Sequence, residues 1–83
     1  MKIDIYTVDY CPYCRKAFAF LEAHGVDFTN HDITENENMM RKELGKKYNI
    51  QGTVTVPQII IDEKRIGGYT DIIEMDKSGL LPF

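Results

Sequence analysis

From Ile3 to Thr7 apolar and polar residues alternate, with β-branched side chains at period two, which predicts a first strand. Cys14, Ala17, Phe18 and Leu21 then recur at helical spacing. Pro12 suits the first helical position, where its missing N–H has no intrahelical partner to lose, and Gly25 marks the end of the helix. Val26 to Asp32 reads as a second strand. Thr34 and Glu37 have the spacing of a capping box, and Met40, Leu44 and Tyr48 give the helix behind it one buried stripe. Asn49 to Thr53, with Gly52, is a loop. Pro57 introduces Gln58-Ile59-Ile60-Ile61, an apolar run that fits a strand covered on both faces. Asp62-Glu63-Lys64 turns into a short edge strand, Arg65-Ile66, which Gly67-Gly68 ends. Thr70 or Asp71 can cap a last helix carrying Ile72, Ile73 and Met75.

The element order is therefore β-α-β-α-β-β-α. A right-handed crossover makes the first two strands parallel, and the short link at residues 62 to 64 makes the last two an antiparallel hairpin. The expected α/β fold is a four-stranded mixed sheet flanked by three helices. With 83 residues and 43% hydrophobic content, the chain suits a single domain over residues 1–83 and excludes a multidomain enzyme. A net charge of −3 leaves no basic stripe for a phosphate backbone, so nucleic acid is not an expected partner. No apolar run has the length of a membrane span, and the first residues lack the features of a signal peptide. A cytoplasmic protein with no membrane partner is the expectation.

There are two cysteines, Cys11 and Cys14, too close in sequence to staple a small secreted domain, so their role is local. Cys11-Pro12-Tyr13-Cys14 lies where a strand feeds a helix. Cys11 falls at the N-cap and Cys14 one turn in, on the same side, a geometry that allows a disulfide. The free N–H groups and positive dipole end of the helix favour negative charge on Cys11. Cys11 is then the nucleophile and Cys14 the resolving thiol. Zinc would need two further ligands, and the spacings of His24 and His31 match no finger pattern, so no metal is expected. His24, near a helix end, and His31, in the second strand, read as surface or capping residues. Tyr6, Phe18, Phe20, Phe28, Met39 and Met40 read as packing.

Four segments in order, Ile5-Tyr6-Thr7, Cys11-Pro12-Tyr13-Cys14, Thr55-Val56-Pro57-Gln58 and Gly67-Gly68-Tyr69-Thr70-Asp71, make the whole chain resemble the dithiol glutaredoxins. The resemblance implies a thioredoxin-like fold and a glutathione-dependent disulfide oxidoreductase, with a redox-active disulfide and roles in electron transport and cell redox homeostasis. Its implied substrates are glutathionylated proteins, small mixed disulfides and some protein disulfides, including that of ribonucleotide reductase. Glutathione is the implied reducing cosubstrate, and a monomer is expected. The family has a cis bond at the position of Pro57. The resemblance assigns the Val56 backbone to the cysteinyl part of glutathione, in the manner of an added strand. Thr55 and Pro57 flank it. Gly68, Thr70 and Asp71 stand where the family holds the γ-glutamyl end, at a helix N-terminus able to receive a carboxylate, with the Asp71 carboxylate for the ammonium group. Tyr13 and Tyr69 are candidate walls of the groove.

One position departs from the family pattern. Many members carry lysine two residues after the first-strand tyrosine, near the thiolate and the glycyl carboxylate, whereas this chain has Val8. Arg41, Lys46 or Lys47 are candidates to replace that charge. Two other functional classes compete with the enzyme. One is a dimeric iron–sulfur carrier using Cys11 and external glutathione, against which the Pro-Tyr inside the motif argues. The other is a redoxin reduced by thioredoxin reductase, against which Thr70-Asp71 argues.

Overall fold

The computed structural model describes residues 1–83. Strand β1 (Ile3–Thr7) leads to helix α1 (Pro12–Ala23) and strand β2 (Thr29–Asp32). A short 3-10 turn (Thr34–Asn36) enters helix α2 (Glu37–Lys47), followed by β3 (Gln58–Ile61), β4 (Lys64–Gly67) and α3 (Tyr69–Lys77). The sheet order is β2-β1-β3-β4, with β1 parallel to β2 and antiparallel to β3, and β3 antiparallel to β4. The expected mixed sheet and element order are therefore observed. No helix is long and apolar enough to cross a membrane.

Register explains why the sheet has two unlike faces. Ile3 pairs with Ile61 and Ile5 with Ile59, so the period-two alternation puts four isoleucines on one side. Ala17 and Leu21 from α1 and Ile72 from α3 close over them, all three fully buried. The other side carries Asp4, Tyr6, Gln58 and Ile60, since Asp4 pairs with Ile60 and Tyr6 with Gln58. The β3–β4 turn uses two residues with left-handed φ, Asp62 (49°) and Glu63 (68°), the pattern of a tight type I′ hairpin.

Several local expectations are corrected. Strand β2 starts at Thr29, not Val26, because the Val26 N–H is already bonded to the Leu21 carbonyl at the end of α1. Val26 and Phe28 still pack on the core from an unpaired segment. The Thr34–Glu37 capping box does not form: the Thr34 N–H and hydroxyl both donate to Asp32, and Glu37 is engaged elsewhere. Those two donors hold the Asp32 carboxyl below its ordinary range. Neither Thr70 nor Asp71 is the N-cap of α3. Gly68 is, and Asp71, three residues on, accepts from the Gly68 N–H at 2.8 Å. Met39 is not packing but exposed on α2.

Candidate active site

Cys11 caps α1, with its sulfur accepting from the Cys14 N–H at 3.2 Å and its thiol 3.7 Å from the Val56 carbonyl. Both cysteines are free thiols. They differ in access: Cys11 is 9% exposed and Cys14 only 1%. Val8 and Ile33 complete a small buried cluster with them, against which Tyr6, Met40 and Val56 pack. Burial, and then the hydrogen bond with Cys11, push the Cys14 thiol up to about 12, so it stays protonated at neutral pH. The pair can therefore divide its work, with the less deeply buried sulfur at a helix N-terminus and a protonated one in reserve behind it.

The opposite wall is built by the approach to β3. The Val56–Pro57 bond is cis, and the Val56 N–H makes no hydrogen bond within the protein. Buried Gln58 props this segment from below: its Nε2 donates to the Thr55 carbonyl at 2.9 Å, and its Oε1 accepts from Arg65 Nε at 3.0 Å. Gly67, at φ 120°, is required beside it, because a Cβ there would lie 2.4 Å from the Asp71 carboxylate. A cleft of about 280 Å³ results. Its lining is Tyr13, Thr55, Val56 and Pro57 on one side and Gly68, Tyr69, Thr70 and Asp71 on the other, the eight residues singled out in the sequence for substrate binding. Tyr13 and Tyr69 stand 6.1 Å apart between ring centroids, and Lys16 lies over the Tyr13 ring. A larger cleft, about 680 Å³, is lined by Asp9, Asp32, Thr34, Glu35 and Asn36, and holds no cysteine. No group of three or more His, Cys, Asp or Glu side chains is placed to hold a metal ion.

Sequence reasoning missed a polar strap across the site. Tyr10, next to Cys11, donates its hydroxyl to Glu37, and that bond raises the Tyr10 phenol above its ordinary value. Glu37 pairs with Arg41 at 2.7 Å, and Arg41 Nη1 donates to the Val54 carbonyl at 2.8 Å. Only the Glu37–Arg41 spacing of four was a visible signal. Val8, where the family pattern has lysine, is 3% exposed and forms an apolar floor beneath the thiols. His31 is no bystander: it bonds Asp4 at 2.8 Å and stacks on Tyr6. His24 follows the end of α1 as its C-cap, with its ring close to Phe20 and Phe83.

A Cys-Pro-Tyr-Cys pair on a helix N-terminus, facing a cis-proline in a mixed sheet, defines a thiol–disulfide oxidoreductase of the thioredoxin-like fold. The glutaredoxin family model matches residues 3–66. Glutaredoxin 3 of Escherichia coli is 42% identical over 77 residues, covering 93% of this chain and 88% of that protein. The chain belongs to the glutaredoxin family, and its Cys11–Cys14 motif is of the dithiol type. Among solved structures, a dithiolic glutaredoxin of Trypanosoma brucei brucei has a TM-score of 0.82 at 33% identity, over 96% of this chain and 81% of that one. A buckwheat glutaredoxin–glutathione complex has a TM-score of 0.83 at 21% identity, over 95% of this chain and 71% of that one, a likeness of fold alone.

Proposed function

We propose that residues 1–83 act as one glutaredoxin domain that uses glutathione to reduce glutathionylated proteins, small mixed disulfides and some protein disulfides. The observation that carries this reading is the cleft itself: an unpaired Val56 N–H and the N-terminus of α3 lie on its walls, and the Cys11 sulfur lies beside Val56. Glutathione has complementary groups for both walls. Its cysteinyl backbone suits Val56 as an added strand, and its γ-glutamyl carboxylate suits the helix N-terminus, with the exposed Asp71 carboxylate near its ammonium group. The buckwheat relative was solved as a glutathione complex, which supports the same ligand. Ile72 of α3 packs in the core shared by α1 and the sheet, which supports treating the chain as one domain. Cytoplasmic residence and a monomeric state complete the reading.

In the proposed cycle the Cys11 thiolate attacks the glutathione sulfur of a mixed disulfide. The substrate leaves as its thiolate, and a second glutathione then attacks the glutathionylated Cys11, releasing glutathione disulfide. With a protein disulfide, Cys14 loses its proton and attacks Cys11, expelling the substrate and closing the Cys11–Cys14 bond. Two glutathione molecules reopen it. Its raised pKa suits Cys14 to this second step, since it stays out of the first.

The test is a pair of variants assayed with glutathione and its reductase. Cys11→Ser should abolish turnover of every substrate. Cys14→Ser should keep reduction of a small glutathionyl mixed disulfide and lose reduction of protein disulfides. A Cys14→Ser protein inactive on the small mixed disulfide, or wild type turned over by thioredoxin reductase and not by glutathione, would refute the assignment.

A further inference from the structure

The segment Thr53–Pro57 separates two clefts. One is the thiol cleft. The other, about 510 Å³, lies between α2 and residues 49–54 and meets the first along Val54 and Thr55. Its walls carry Arg41, Lys42 and Lys46 and no carboxylate, in a chain whose net charge is −3. Arg41 is committed, holding the Val54 carbonyl and Glu37. Lys42 and Lys46 are not: they stand four apart on one exposed face of α2, and neither pairs with a carboxylate. Gly45 between them keeps the wall close to the loop, since a Cβ there would meet Val54 Cγ2 at 3.2 Å.

We propose that this basic groove receives acidic side chains that follow the reactive cysteine of a protein disulfide substrate. The inference rests on the glutathione reading above, which sets the direction of the bound chain. With the γ-glutamyl end at Asp71 and the cysteine at Val56, the substrate runs from N to C terminus toward Val54. An extended segment rises roughly 3.3 Å per residue, so its second and third residues after the cysteine arrive at the groove mouth. There the two uncommitted ammonium groups favour Asp or Glu and disfavour Lys or Arg.

The chemistry is that of the dithiol cycle. Cys11 attacks one sulfur of the substrate disulfide and the other sulfur leaves as a thiolate. Cys14 then displaces the bound chain, and two glutathione molecules restore both thiols as one glutathione disulfide forms.

The test uses symmetric disulfides of two short peptides, identical except for two Asp or two Lys at the second and third positions after the cysteine. Bis(2-hydroxyethyl) disulfide with glutathione serves as the small substrate. Wild type should show kcat/KM about fivefold higher for the Asp peptide at low ionic strength, the size expected of two exposed charge contacts. The ratio should fall toward one as salt is raised. Lys42→Glu with Lys46→Glu should invert it, by raising the rate on the Lys peptide, a gain that misfolding cannot produce. Equal rates on both peptides by a wild type active on the small substrate would overturn the groove, as would an Asp preference that survives the double reversal. Inactivity on the small substrate would instead overturn the glutathione reading itself.

Discussion

The two faces of the sheet are built from the same strands and do different work. On one, Ile3, Ile5, Ile59 and Ile61 meet Ala17, Leu21 and Ile72, and the polar side chains of that face, Thr7 and Asn30, bond each other at its edge. On the other, Asp4 bonds His31, Tyr6 stacks on His31, and Gln58 spans Arg65 and the Thr55 carbonyl. Apolar burial is non-directional, so the first face can hold the fold without holding any one atom to a fraction of an ångström. Hydrogen bonds are directional, and the second face uses them to fix the backbone from which Val56 projects. The reactive thiols sit where the two meet, at the mouth of α1.

The largest difference should appear on truncating each face. Ile59→Ala removes a fully buried side chain opposite Ile5, and should cost about 3 kcal/mol of stability, within the 2–5 kcal/mol usual for such cavities. Urea denaturation measures it. Turnover per folded molecule should change little, because Ile59 lies in the core with Ala17, Leu21 and Ile72 and does not line the cleft. A loss of activity larger than the loss of folded protein would mean that the apolar face also positions the site.

Gln58→Ala should do the converse. The side chain is 1% exposed and bonds both the Thr55 carbonyl and Arg65 Nε, so its loss removes two hydrogen bonds and the packing of a buried side chain, at about 1–2 kcal/mol. That is a smaller cost than Ile59→Ala. The effect on function should be larger, as a severalfold rise in KM for a glutathionyl substrate with kcat nearly kept, since Thr55 and Val56 would lose their prop. An unchanged KM would show that the cis-proline turn holds itself without Gln58.

Much of this division was legible in the chain. The alternation at Ile3–Thr7 and the run Ile59–Ile61 announced the apolar face because burial leaves a periodic trace in sequence. Cys11, Cys14, Pro57 and Gly67-Gly68 were legible for another reason: each answers a local backbone demand, a helix start, a cis bond or a positive φ, that few residue types meet. The Tyr10–Glu37–Arg41–Val54 strap and the Asp4–His31 bond were not legible. Apart from Glu37–Arg41, four apart on α2, these contacts join residues distant in sequence through side chains that would look equally natural exposed to solvent. Thr34 misled in the same way, because its capping pattern was real but Asp9 and Asp32 claimed its hydroxyl first. At position 8 the resemblance pointed to a cation, whereas the burial of Val8 shows a floor under the thiols.

The last contrast needs no truncation, only base. The core cluster of the apolar face carries no titratable group, whereas the thiol cluster holds Cys14, raised from 9.0 to about 12 by burial and by its bond with Cys11. Between those values the folded protein keeps a proton that the unfolded chain releases, so stability from this thiol is fully present below about pH 9 and is lost as pH rises toward 12. The loss should be on the order of 1 kcal/mol at pH 10 and nil at neutral pH. Tyr6, whose phenol is raised chiefly by burial, contributes with the same sign, so the comparison must be made within a pair of proteins. Wild type and Cys14→Ser should differ in the slope of stability between pH 9 and 11, measured by urea denaturation under reducing conditions, while wild type and Ile59→Ala should run parallel. Thiolate absorbance gives an independent reading, because the Cys14 step should appear only in strong base and vanish in Cys14→Ser. Equal slopes in wild type and Cys14→Ser would mean that the thiol is solvated, and that the reserve role assigned to it has another cause.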